Sequence, residues 1–140
     1  MGRPFFTTVA TARALNVLTA NVNATITVVR NTATTRKPDG SLVGQYTVID
    51  GGGELSCLLA AITAARSLEE WGGTQLVTAV AHVPLDPDTI TPDVREGDGV
   101  IVDDGPHLGA RFYVVQYRRA PNGRVLVVAL RTTADTFPSA

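Results

Sequence analysis

The sequence has little of what marks an enzyme site, a membrane span or a cross-linked secreted domain. Its 140 residues include one cysteine, Cys57. No internal disulfide can form, and a lone thiol fits a reducing compartment, so the plain reading of Cys57 is a small buried apolar residue. The two histidines, His82 and His107, lie far in sequence from each other and from Cys57. A zinc site needs more ligands than these three can bring together, so neither a metal nor another cofactor is expected. No apolar run approaches the roughly 20 residues that cross a bilayer. Met1-Gly2-Arg3-Pro4-Phe5-Phe6 lacks the apolar core of a signal peptide, and Gly2 followed by Thr7 does not meet a myristoylation pattern. The expectation is a soluble protein made inside the cell, with no membrane partner.

Charge is scarce as well. Charged residues make up 18% of the chain and the net charge is −1, against a typical charged share of about a quarter. The electrostatic pull of a free DNA-binding protein is therefore missing. Lining a passage through which nucleic acid slides remains compatible with that balance. A surface so poor in charge also suits coverage by partner subunits, since interface cores are depleted in charge.

Catalytic motifs are missing too. There is no Gly-x-Ser-x-Gly elbow, although a Ser-His-Asp triad is defined by geometry and stays open at this point. Gly51-Gly52-Gly53 is not followed by Gly-Lys-Ser/Thr, so it is no Walker loop, and Gly97-x-Gly99 is too small a fragment for a dinucleotide fingerprint. The acidic residues Asp86, Asp88, Asp93, Asp98, Asp103 and Asp104 fall in turn-like sequence without the alternation of an EF-hand loop, and read as solvated turns. The chain is not expected to be an enzyme.

What the sequence does have is β-strand signal. With 44% hydrophobic residues, one domain with a single core is expected. Residues 24–30 alternate Ile26 and Val28 against Thr25, Thr27 and Val29, which suits a half-buried strand. Residues 31–43 follow, with the turn Pro38-Asp39-Gly40, and form either an ordinary hairpin or a longer projecting loop. Residues 45–49 are the return strand. Gly51-Gly52-Gly53 reads as a flexible link, because glycine has no Cβ to restrict it.

Residues 54–62 predict a strand with Leu55, Cys57 and Leu59 on one face, running into a short helical or loop segment that ends near Trp71. A helix over 55–70 is the competing reading. Residues 74–83 predict a strand with Val77, Ala79, Ala81 and Val83 on one face, ended by Pro84. Three more strands are predicted at 100–102, 110–117 and 124–131. The last two are joined through Pro121-Asn122-Gly123, a tight-turn signal. That final hairpin is apolar on both faces, as expected of a strand pair buried on two sides.

The fold class these features predict is all-β: a small closed or partly open barrel of about six to seven strands. Residues 1–23 would form an N-terminal arm or short helix, residues 24–132 the barrel with a projecting loop at about 31–53, and residues 133–140 a polar tail, free or docked on a partner. Phe5 and Phe6, costly to expose, are candidate contacts with the domain or a neighbouring subunit.

One further pattern runs through this half of the chain. Val28-Val29-Arg30 ends a strand, Pro38-Asp39-Gly40 makes a turn, and Leu55-Ser56-Cys57-Leu58 lies in the next strand. Then come Leu85-Asp86-Pro87-Asp88-Thr89-Ile90 and a run from Glu96-Gly97-Asp98-Gly99 through Val100-Ile101-Val102-Asp103-Asp104-Gly105 to Phe112-Tyr113-Val114-Val115. In order and spacing this resembles the head-closure, or stopper, proteins of long-tailed bacteriophages, over about residues 24–130. Residues 1–23 and 58–73 fall outside the resemblance.

The resemblance implies a small barrel that assembles as a homo-oligomeric ring in the virion neck. That ring lies beneath the portal and its adaptor, above the tail terminator or tail-completion protein, with packaged double-stranded DNA passing through it. It further implies a plug loop in the channel. By position this is the segment 31–53, with Arg36, Lys37, Pro38, Asp39 and Gly40 as the channel residues and Gly51, Gly52 and Gly53 as the hinge. Two other readings stand beside it. One is a tail-completion or adaptor protein of the same neck. The other is an OB- or SH3-like binding module, in which Arg111-Phe112-Tyr113 and Tyr117-Arg118-Arg119 would stack bases instead of supplying core aromatics with basic edges.

Overall fold

The alternating apolar residues of the middle strands, and the doubly apolar last one, are satisfied together by closing a single sheet on itself. The computed structural model describes residues 22–62, 76–85, 92–119 and 124–138. Among these residues there are seven strands: β1 (Ala24–Arg36), β2 (Leu42–Val48), β3 (Leu55–Ala61), β4 (Ala79–Pro84), β5 (Gly99–Asp104), β6 (Arg111–Arg119) and β7 (Val125–Thr132). Among the described residues there is no helix. The order β1-β3-β4-β7-β6-β5 returns to β1 through a β1–β5 pairing. The result is a closed, wholly antiparallel six-strand barrel with β2 as an extra strand. The all-β barrel expected from the sequence is the fold observed.

Closure works because each strand places its apolar alternates inward. Ile26 and Val28 of β1, Cys57 and Leu59 of β3, Ala81 and Val83 of β4, Val100 and Val102 of β5, Phe112 and Val114 of β6, and Leu126, Val128 and Leu130 of β7 form one core. The other apolar residues of β7, Val125, Val127 and Ala129, join Val77 and Val80 in a second apolar cluster on the barrel's outside. Strand β7 is therefore buried on both faces, as expected of the final hairpin, whereas its partner β6 is only half-buried on the outer face and exposed from Tyr117 onward. Val77 was expected to share a face with Ala79 and Ala81. It lies instead in the outer cluster with Val80, and the regular alternation of β4 begins only at Ala79.

Cys57 has no exposed surface, and burial pushes its thiol up to about 11. In the native protein it is expected to resist a thiol reagent at pH 8 and to react at once in denaturant, because the thiolate is the reactive form. Rapid stoichiometric labelling of the folded chain, followed by mass spectrometry, would contradict this placement.

Strand β1 is long enough to do two jobs. Its first half fills one edge with β5 and the other with β3, pairing Ile26 with both Val102 and Leu55. Its second half leaves the barrel and pairs only with β2, from Arg30 opposite Thr47 to Arg36 opposite Leu42. Strands β2 and β3 thus lie end to end along the same edge of β1, separated by a turn at residues 49–54. Asn23 extends this edge, because its side-chain amide donates to the Leu59 carbonyl and accepts from the Leu59 N–H in place of a strand partner.

Several sequence features lie outside the described residues. They are Phe5 and Phe6, residues 1–21 of the arm or helix expected at 1–23, the segment 63–75 with Trp71, Asp86 and Asp88, and the turn Pro121-Asn122-Gly123.

Candidate functional site

The feature that departs from a plain barrel is the β1–β2 hairpin. Every residue from Asn31 to Leu42 is exposed. The hairpin extends about 20 Å from the barrel, given the rise of roughly 3.3 Å per strand residue. The tip is ordered by local chemistry. Pro38 and Asp39 occupy the centre of a turn in which the Gly40 N–H donates to the Lys37 carbonyl at 2.9 Å, and Lys37 N–H closes on the Ser41 carbonyl at 2.8 Å. Gly40 takes φ +88°, the left-handed position that ends a three-residue hairpin loop. Asp39 Oδ1 accepts from both the N–H and the hydroxyl of Ser41, and these bonds hold its carboxyl below the ordinary range. The segment 31–43 is therefore a two-stranded hairpin that projects, which joins the two readings the sequence left open. Threonine and alanine continue β1 past Arg30 without an apolar stripe, because neither face of the arm meets a core.

The five tip residues singled out in the sequence, Arg36, Lys37, Pro38, Asp39 and Gly40, sit together at the far end of this arm. Its charge there is two cations against one carboxylate. The third nearby cation, Arg30, stands at the base and is already engaged. Its Nε and Nη2 donate to the two oxygens of Asp98, each at 2.9 Å, and Nη2 also donates to the Asp93 carbonyl at 2.6 Å. Those bonds hold the guanidinium above its ordinary pKa, against the desolvation of its partly buried stem. Asp98 is 3% exposed and also accepts from the Arg95 N–H at 2.8 Å. Asp98 was expected in a solvated turn, and Arg30 as the end of a strand. The fold instead spends both on a partly buried clamp between the end of the barrel part of β1 and the turn before β5.

Gly51, Gly52 and Gly53 are not a loose link. The turn they form is tied at both ends to Val28, whose carbonyl accepts from Ile49 N–H at 3.1 Å and whose N–H donates to the Gly52 carbonyl at 2.8 Å. Gly52 is buried, and a Cβ there would stand 2.4 Å from Ile49 Cγ1. Close packing accounts for Gly52 and positive φ for Gly51 (φ +72°). The irregularity at the arm's base lies elsewhere, in a bulge between Asn31 and Ala33. There the Asn31 carboxamide oxygen accepts from Ala33 N–H at 3.2 Å. Next to it, opposite Thr34, Gly44 leaves room for the Asn31 and Tyr46 side chains, which a Cβ would meet at 3.0 and 2.9 Å.

The tail is the other correction, because residues 133–138 dock on their own barrel. Phe137, 5% exposed, packs with Val29 and Tyr46, with Ile101 and Tyr113 at the margin. Its ring stands edge-on to Tyr46 at 5.0 Å and to Tyr113 at 5.3 Å. Pro138 carbonyl accepts from Tyr46 N–H at 2.8 Å. Tyr113 donates its hydroxyl to Asp135, whose other oxygen accepts from Phe137 N–H. Burial and that bond to Asp135 raise the Tyr113 pKa, and the same bond lowers that of Asp135. A single phenylalanine in a polar tail carries the docking. Its sequence signal was one aromatic residue after the last strand.

The aromatic–basic runs on β6 are divided by the barrel wall. Phe112 points into the core and Tyr113 lies under Phe137, while Tyr117 is exposed beside Arg118 and Arg119. Arg119 donates to the Pro92 carbonyl at 3.2 Å. A continuous base-stacking face does not form on this strand. Among the described residues, no group of three or more His, Cys, Asp or Glu side chains is placed to hold a metal ion.

The architecture defines a small closed antiparallel barrel with one projecting hairpin. Among solved structures, it is similar to the solution structure of protein SF1141 from Shigella flexneri 2a. The TM-score is 0.59 at 14% identity, over 83% of this chain and 96% of that one. At that identity the likeness speaks to the fold alone. No family model matches the chain, and no curated protein matches it in sequence.

Proposed function

We propose that the protein is a structural component of a tailed-phage neck, a head-closure protein rather than an enzyme. In this reading it forms a homo-oligomeric ring beneath the portal and adaptor, retains packaged DNA and offers the tail a docking surface. One observation carries the reading. The segment that the sequence resemblance designates as the plug is an exposed hairpin standing off a closed barrel, with Arg36 and Lys37 at its tip. The charge supports it in kind: an arm with two cations and one carboxylate can touch passing DNA without the multi-phosphate grip that would impede ejection.

Removing residues 36–41 and closing the hairpin with an Asn-Gly turn tests the reading. The arm buries nothing, so the barrel is expected to melt within a few degrees of the parent, since surface changes away from packed groups cost about 0.5 kcal/mol or less. Filled heads assembled with the shortened protein are expected to lose DNA, scored as nuclease-sensitive genome. Retention equal to the parent's would sink the plug assignment. Mass measurement at high concentration adds a check on the ring: discrete large oligomers support it. A monomer that binds an oligonucleotide with salt-dependent affinity would favour the binding-module reading instead.

A further inference from the structure

The C-terminal strap touches the arm and the barrel at the same point. Tyr46 belongs to β2 and lies opposite Asn31, at the bulge where the arm leaves the barrel. Tyr113 belongs to β6, in the barrel wall. Phe137 is wedged between the two rings, and Pro138 adds a strand-like bond to the Tyr46 amide. The wedge is fitted closely: Gly99 lies beneath it, and a Cβ there would stand 2.8 Å from the ring. Beyond Tyr46 the outer part of the arm, from Asn31 to Leu42, is exposed throughout.

Two details distinguish this from ordinary core packing. Phe137 sits at φ +48°, a backbone region that bulky residues rarely take, so the docked strap carries strain that release would relieve. The bulge at Asn31 and Ala33 is a ready point of bending, because an unpaired extra residue weakens the ladder and kinks the strand. The turn at Gly51–Gly53 cannot serve in that way while Val28 holds it from both sides.

We propose that residues 133–138 are a latch that sets the orientation of the β1–β2 arm. Docked, the latch fixes Tyr46 against the barrel. Released, it uncovers Val29, Tyr46, Ile101 and Tyr113 and leaves the arm to swing about the Asn31–Ala33 bulge. The device is a property of the chain by itself and goes beyond the neck assignment. It is read without DNA, so its failure and that of the neck assignment can be told apart.

The test is amide exchange and 15N relaxation on the full chain, comparing the parent with Phe137→Ala and Gly99→Ala. The second variant displaces the ring without removing it. In both, the Tyr46 amide is expected to exchange about tenfold faster, as follows from losing two edge-on ring contacts that hold a local opening closed. Amides on both sides of the bulge, at Asn31 and Gly44, are expected to gain motion together with the tip. Amides of Leu126, Val128 and Leu130 in β7 are expected to keep the parent's rates. Unchanged Tyr46 exchange and arm motion in Phe137→Ala would overturn the latch. So would an acceleration that includes β7 to the same degree, which would make Phe137 a core residue of the whole barrel. If Phe137→Ala loosens Tyr46 and Gly99→Ala does not, the wedge over Gly99 is wrong and the proposal falls with it.

Discussion

Replacing Leu130 with alanine is expected to remove about 3 kcal/mol of stability, the usual cost when a fully buried leucine leaves a cavity that its neighbours cannot fill. Leu130 has no exposed surface and lies in the middle of the barrel core, opposite Ala79 on β4 and Val114 on β6. Both of those neighbours are themselves small, and both are fixed by pairing, so the wall cannot move in to close the gap. The Leu130 carbonyl accepts from Thr78 N–H at 2.8 Å, which holds the backbone in place around the missing side chain. Domains of this size have about 5–15 kcal/mol in all, so the variant gives up a large share. Urea unfolding checks it, with Leu42→Ala as control. Leu42 is 64% exposed on the arm, and its loss should cost well under 1 kcal/mol. A midpoint for Leu130→Ala equal to that of the control would mean that the barrel core is not built as described.

The second large effect is expected at Asp98. Its two oxygens accept from Arg30 Nε and Nη2 and from the Arg95 N–H. Asp98→Ala strips three donors of their acceptor in one step and leaves a partly buried guanidinium with no carboxylate. Breaking a buried pair from one side costs about 3–5 kcal/mol. Arg30 keeps some access to water at 29% side-chain exposure, so roughly 2–3 kcal/mol is expected here. Asp98→Asn should be nearly as harmful, because its NH2 would face the guanidinium donors. The double replacement Arg30→Met with Asp98→Leu removes both charges together, and should recover most of the loss. A double-mutant cycle by denaturant titration measures this. Independent, additive losses at the two positions would show that the clamp does not act as a unit.

How much of this was legible beforehand differs from strand to strand. The inward face of β3 could be read directly, because Cys57 and Leu59 alternate with Ser56 and Leu58, whereas β5 could be read only as a strand, since Val100, Ile101 and Val102 are all apolar. The double burial of β7 could also be read, since six consecutive apolar residues leave no polar face to put in water. The hairpin tip was legible from Pro38-Asp39-Gly40, whose turn chemistry is local. By contrast, β1 was expected to stop near Arg30. It continues to Arg36 because β2 pairs with it, and a ladder of backbone bonds leaves no trace in side-chain alternation.

Three residues show why the rest was hidden. Asp98 sits in Glu96-Gly97-Asp98-Gly99, which has the composition of an exposed turn. It is buried only because Arg30, 68 residues away, arrives beside it. Gly52 looks like part of a flexible run, yet its lack of a Cβ serves the close approach of Ile49 and Val28. Phe137 lies in a tail of polar residues, and nothing near it in sequence says that Tyr46 and Tyr113 will be brought together to receive it. Each of these roles is defined by a partner that only the closed barrel supplies.

The sequence by itself determined that this chain is an all-β domain, where most of its strands run and which residues line the core. It also placed the turn at Pro38-Asp39-Gly40. Strand propensity, two-residue alternation and turn chemistry are local, and each is complete within a few neighbouring residues. Only the tertiary structure decided that β1 closes the barrel on β5 and then leaves it with β2. Only the tertiary structure sets the arm on an Arg30–Asp98 clamp and lays the tail's one aromatic across its base. Those outcomes depend on which distant strands share an edge, and the pairing energy that selects them resides in backbone groups that are the same at nearly every residue.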